Sequence, residues 1–208
     1  MRILKIDPHT PDSTALSEAA AIIAGGGIVA YPTDTLYGLA VDPRNDAAVE
    51  RLYRAKERDS NLAVPLIAGS LEQALASGTF TDADVRLARA FWPGPLSLVV
   101  PASAIVSARL IGPGATVAVR VPAHPVARGL ALALGCAITS TSANRSGMTA
   151  ATSANETAAA LADHLDAVID AGASPGGAPS TIVQLTRDGP RLLRAGAISW
   201  ERVLTFVE

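Results

Sequence analysis

The sequence predicts an α/β (α+β) fold, a twisted mixed β-sheet flanked by helices, and three observations carry that prediction. Segments with helical spacing alternate with short, apolar, β-favouring runs along the whole chain. No internal repeat, low-complexity tract or long linker interrupts them, so residues 1–208 read as a single domain. Apolar residues make up 49% of the composition and charged residues 17%, which suits a packed core and excludes a disordered chain.

Ser13 to Ala24 is the first helix, with Leu16, Ala20 and Ile23 on one face and Gly25-Gly26-Gly27 ending it. Ile28 to Pro32 is a short strand that runs straight into Thr33-Asp34-Thr35-Leu36-Tyr37-Gly38-Leu39, gathering polar groups at its carboxyl end. Asp46 is placed to cap a second helix, in which Val49, Leu52, Tyr53 and Lys56 fall at i, i+3, i+4 and i+7 and share the packed face. Ser70-Leu71-Glu72-Gln73 and Ser153-Ala154-Asn155-Glu156 fit the capping box and start helices ending near Gly78 and His164. A further helix from Asp82 stops at Pro93-Gly94-Pro95. Leu96 to Val100 reads as a buried strand. Thr116 to Val121 alternates, with three valines on one face and Thr116 and Arg120 on the other, which is not core. His124 to Leu134 is helical, Ala137 to Thr141 extended, and Thr181 to Leu185 pairs with Arg191 to Arg194 across Arg187-Asp188-Gly189-Pro190. The Gly- and Pro-rich stretch from Ala171 to Pro179 is a loop.

A formal charge of −2 argues against broad, nonspecific nucleic-acid binding, so direct RNA binding is expected to be weak or absent. The single cysteine, Cys136, excludes an internal disulfide and points to a reducing compartment. The N-terminal residues lack the apolar stretch of a secretory signal, and no segment approaches the roughly 18 apolar residues of a membrane span. A cytoplasmic location without membrane attachment is the expectation.

Walker, GxGxxG, CxxC and HExxH motifs are absent, no nucleophile elbow is present, and His9, His124 and His164 are too scattered for a metal site. What stands at the element edges is a set of hydroxyls, amides and cations: Thr33, Thr35, Lys56, Arg58, Asn61, Thr116, Arg120, Ser140, Ser142, Asn144, Ser180, Thr181 and Arg194. Such a set suits polyanions, because cations neutralise phosphate or carboxylate while short hydroxyls fix orientation. Each member also has a plainer reading. Lys56 and Arg58 suit a helix C-terminus, and the Thr33 and Ser140 segments suit turns.

In order and wording these segments resemble the YrdC-type threonylcarbamoyl-AMP synthase family, in its short, single-domain form. The resemblance runs through Gly27 to Leu39, Lys56-Glu57-Arg58 with Pro65-Leu66, Phe91 to Leu96, Val119-Arg120-Val121-Pro122, Thr139 to Gly147, Ser180-Thr181-Ile182-Val183 and Arg194 to Ile198. It departs from the family pattern at Asp59, where related sequences often carry proline, and in the longer connection to Pro65.

The resemblance implies a deep basic concavity where ATP and L-threonine meet, and the reaction of threonine, bicarbonate or CO2, and ATP to threonylcarbamoyl-AMP and pyrophosphate. The product would pass to a tRNA threonylcarbamoyl transferase complex for the modification at tRNA position 37. Lys56 and Arg58 would act catalytically near the triphosphate. Asn61, Thr116, Ser142, Asn144 and Arg194 would join them in holding ATP, with Mg2+ carried by the phosphates. Thr33, Thr35, Arg120, Ser140 and Ser180 would surround threonine, Arg120 taking its carboxylate. Two other readings compete: a noncatalytic RNA-binding module, which 4% aromatic residues fit poorly, and carbamoyl-adenylate formation as in a hydrogenase-maturation domain.

Overall fold

The computed structural model of the chain describes residues 1–57 and 62–207. Its strands and helices follow in the order β1 (Arg2–Lys5), α1 (Ser13–Ala24), β2 (Val29–Pro32), β3 (Tyr37–Ala40), α2 (Asp46–Ala55), β4 (Leu66–Ile67), α3 (Leu71–Ala76), α4 (Asp82–Phe91) and β5 (Leu96–Pro101). They continue with β6 (Thr116–Arg120), α5 (Pro125–Leu134), β7 (Ile138–Thr139), β8 (Thr141–Ser142), α6 (Ala154–Leu161), β9 (Ala167–Asp170), β10 (Thr181–Thr186), β11 (Gly189–Arg194) and α7 (Trp200–Leu204).

The strands divide over two mixed sheets, ordered β1-β9-β2-β3-β8 and β11-β10-β5-β6-β4-β7. The mixed α/β character expected from the sequence holds, and β1 and β2 both run parallel to β9. The segment after Pro32 makes the turn that its residues suit, and the chain returns at once: β2 and β3 form an antiparallel hairpin across residues 33–36. The extended stretch around residue 140 breaks at Ser140, where the chain leaves the six-stranded sheet at β7 and joins the five-stranded one at β8.

Thr139 fastens the sheets at this crossing. Its fully buried hydroxyl donates to the Leu39 carbonyl (3.0 Å) and accepts from the Val41 N–H (2.9 Å), completing groups that would otherwise be orphaned in the core. On one flank α1 and α5 bring Leu16, Ala19, Ala20 and Ile23 together with Val126, Ala127, Leu130 and Ala131. A larger core packs α2 and α4 against the six-stranded sheet through Val49, Leu52, Leu87, Leu98 and Val119. The valines of β6 lie in it as their alternation predicts.

Helix caps follow side-chain chemistry with one correction. Asn45, not Asp46, caps α2: its backbone is extended and its Oδ1 accepts from the Ala47 and Ala48 N–H groups, while Asp46 opens the helix and accepts from the Ser107 hydroxyl. Thr81 and Asp84 form a full capping box at α4. Ser70 and Ser153 cap α3 and α6, but Gln73 and Glu156 reach one residue further back, to the Gly69 and Thr152 N–H groups. Among the described residues, no helix is long and apolar enough to cross a membrane.

Candidate functional site

Register across the six-stranded sheet explains how residues scattered in sequence come to share a wall. Arg194 sits opposite Ile182, Ile182 beside Ser97, and Arg120 beside Ile67; Leu98 faces Val119, which brings Ser97 next to Arg120. Side chains in one row of a sheet leave on one face. All five line a cavity of about 430 Å³ between the two sheets. Thr33, Thr35, Tyr37, Gly38, Ser140, Ser142 and Ser180 complete much of its remaining surface.

Arg194 reaches this row through a register shift between Ile182 and Val183, where Leu193 has no partner on β10. Such a bulge re-aims the residue beside it. The Arg194 guanidinium then donates through Nε and Nη2 to the Ser180 carbonyl (3.0 and 2.9 Å) and through Nη2 to the Ser180 hydroxyl (2.8 Å), which lies 3.0 Å from the Ser97 hydroxyl. Gly196 lets the following backbone pass this segment: a Cβ there would stand 2.3 Å from the Pro179 carbonyl oxygen.

Arg120 ends β6 with its side chain 9% exposed. Its Nη2 is ion-paired to Asp34, which also accepts from the Ala123 N–H at 3.3 Å. Its Nε is buried with no hydrogen-bond partner among the described residues. The fork is therefore half used, unlike that of Arg44, which gives Asp42 both Nε (2.9 Å) and Nη2 (2.7 Å). Burial lowers the proton affinity of both Arg120 and Arg194; Asp34 opposes this at Arg120, whereas the charge of Arg120 adds to it at Arg194. Two mutually repelling guanidiniums beside one carboxylate leave the cavity electropositive, which favours an anion.

The Thr33 hydroxyl is largely spent on its own turn, donating to the Leu36 carbonyl (2.7 Å) and accepting from the Thr35 and Leu36 N–H groups (both 3.3 Å). Thr35 stands beside it on the cavity wall. Ser140 is fixed through its N–H to the Pro65 carbonyl at 2.8 Å.

Three expected residues lie behind or away from the wall. Lys56 is 2% exposed, and its ammonium donates to the Ser142 carbonyl, the Asn144 carbonyl (2.8 Å) and the Asn144 amide oxygen (3.2 Å). Asn144 is buried in that network. Thr116 donates to the Pro113 carbonyl (2.9 Å), outside the lining of the cavity. Arg58 and Asn61 lie outside the described residues.

Asp34 and Ser97 gained no role from the sequence. Ser97 carried a readable signal, a lone hydroxyl in the apolar run Leu96 to Val100. Asp34 carried none, since its partner Arg120 is 86 residues away.

The Sua5/YciO/YrdC family model, described as telomere recombination, matches residues 21–196. A threonylcarbamoyl-AMP synthase of Pyrococcus abyssi is 38% identical over 187 residues, covering 89% of this chain and 55% of the relative. A second, of Alkalilimnicola ehrlichii, is 44% identical over 168 residues, covering 77% of this chain and 87% of the relative. The crystal structure of P. abyssi Sua5 complexed with L-threonine superposes with a TM-score of 0.92 at 34% identity, covering 100% of this chain and 61% of that one. The chain thus spans little more than half the archaeal protein and most of the Alkalilimnicola one.

Proposed function

Because the chain belongs to the Sua5/YciO/YrdC family, we propose that it is a threonylcarbamoyl-AMP synthase, converting L-threonine, bicarbonate or CO2, and ATP to threonylcarbamoyl-AMP and pyrophosphate. The observation that carries this reading is the electropositive cavity, lined by Arg120 and Arg194, which suits the carboxylate of a small amino acid. The threonine bound in the P. abyssi structure is in keeping with it.

Threonine would sit with its carboxylate on Arg120 and its polar groups toward Thr35, Ser140 and Ser180, with Thr33 shaping the turn beneath. Its ammonium gives up one proton to free the nitrogen lone pair, the nitrogen takes up CO2, and loss of a second proton from nitrogen leaves the carbamate. A carbamate oxygen then bonds to the α-phosphorus of ATP as the bond to pyrophosphate breaks. Arg194 and Ser142, together with Arg58 and Asn61, would hold the nucleotide and stabilise the charge gathering on the leaving group. Such a reaction needs no covalent enzyme intermediate, so positioning and fixed charge can supply the catalysis.

Among the described residues no group of three His, Cys, Asp or Glu side chains could hold a metal ion. Mg2+ enters this scheme as part of the substrate, bound to the ATP phosphates. The product is a mixed anhydride of limited life in water, and we place its use in the cytosol, by a transferase complex acting at tRNA position 37.

Omission of single components tests the reading. With ATP and Mg2+ present, pyrophosphate release should require both threonine and bicarbonate, because the attacking oxygen exists only after carboxylation. Equal release without threonine would refute it.

A further inference from the structure

We propose that Lys56 is a positioning residue that shapes the nucleotide edge of the cavity from behind, through Asn144 and Ser142, and does not itself reach phosphate. This rests on the synthase reading and refines one of its parts.

The packed stripe of α2 carries Lys56 inward at the helix C-cap, where it is 2% exposed and absent from the cavity lining. An ammonium has three N–H donors. Here three acceptors meet it, the carbonyls of Ser142 and Asn144 and the Asn144 side-chain oxygen, at the end of β8 and just beyond it. A ligand phosphate would have to draw the ammonium out of that cage and leave buried oxygens without a donor.

The cage acts on the wall in front of it. Asn144 Oδ1 accepts from Lys56 and also from the Ser142 hydroxyl at 2.6 Å, so the ammonium fixes which way the Asn144 amide faces and, through it, where the Ser142 hydroxyl sits. The opposite end of that amide donates to the Met148 carbonyl, and the Lys56 carbonyl accepts from the Ser146 N–H at 2.8 Å. Lys56 thus holds residues 142–148 at both its side chain and its backbone. Lys5 and Lys56 are the lysines among the 17 Lys and Arg residues. A compact point charge fits three converging oxygens where a planar guanidinium fork does not.

A double-mutant cycle tests the proposal. Lys56→Met and Ser142→Ala should each raise the KM for ATP by about tenfold or more. The double variant should stay within about threefold of the worse single one, because both remove the same placed hydroxyl. The KM for threonine should move less than about twofold, a split that general loss of structure would not produce. Effects on ATP that multiply in the double variant would overturn the proposal, since they mean independent contacts.

If Lys56→Met does not fold, acylation of the wild-type chain with an amine-reactive reagent decides. Exposed Lys5 should be modified while Lys56 stays intact with or without ATP. Rapid modification of Lys56 that ATP suppresses would overturn the proposal. Absence of adenylate from the wild-type protein would instead remove the synthase reading, and the acylation result would still locate the ammonium.

Discussion

Arg120→Lys should raise the KM for threonine by about ten- to a hundredfold while leaving the KM for ATP within about threefold. A hydrogen bond to a charged group contributes about 1.5 to 3 kcal/mol, and each 1.4 kcal/mol is about tenfold in affinity. Lysine keeps the positive charge for Asp34 but has no planar fork with which to hold that carboxylate and a ligand carboxylate at once. The ion pair with Asp34 also supplies a competing explanation, in which Arg120 serves only to neutralise that carboxylate. Calorimetric titration of threonine and of ATP, with a melting curve beside them, separates the two. An unchanged threonine affinity with a lowered Tm would assign Arg120 to the fold alone.

Thr139→Val should lower the Tm by about 4 to 24 °C. The substitution keeps the shape and removes one hydroxyl that serves both sheets. The Val41 N–H and the Leu39 carbonyl then lose their partner in a site of 0% exposure. Each buried polar group left unpaired costs about 1 to 3 kcal/mol, and in a chain of this size 1 kcal/mol moves Tm by about 2 to 4 °C. Thr139→Ser keeps the hydroxyl and should lose less. Equal melting of wild type and Thr139→Val would show that the crossing at residues 139–141 does not depend on that hydroxyl. Ser140, placed beside threonine, follows directly, so weaker threonine binding is also expected in the valine variant.

Where local chemistry decides structure, the sequence could be read closely. The α1 limits at Ser13 and Ala24, the inward stripe of α2 and the valine face of β6 all rest on spacing within one element. The turn after Pro32 was readable, but the short return strand β3 escaped, because it is defined by pairing with β2 and β8 and not by a pattern of its own. The split of residues 138–142 between two sheets escaped for a related reason: it depends on β3 and β4, which lie far away in sequence.

The site divides the same way. Alternation marked Arg120 as facing away from the core, and the structure puts it on the cavity wall. The inward direction of Lys56 was also readable, but the oxygens that receive its ammonium stand 86 and 88 residues further on. The row joining Arg194, Ser97 and Arg120 is a product of register, to which a β-bulge contributes, and no local pattern announces it.

The central claim is that carbon from bicarbonate becomes part of an adenylated threonine. Incubating the protein with ATP, Mg2+, threonine and 13C-bicarbonate, then weighing the nucleotide products, tests it directly. The account predicts an AMP adduct that contains threonine and is about one mass unit heavier than the same adduct made with unlabelled bicarbonate. A threonine adenylate whose mass is indifferent to the label, or AMP without any adduct, would contradict it.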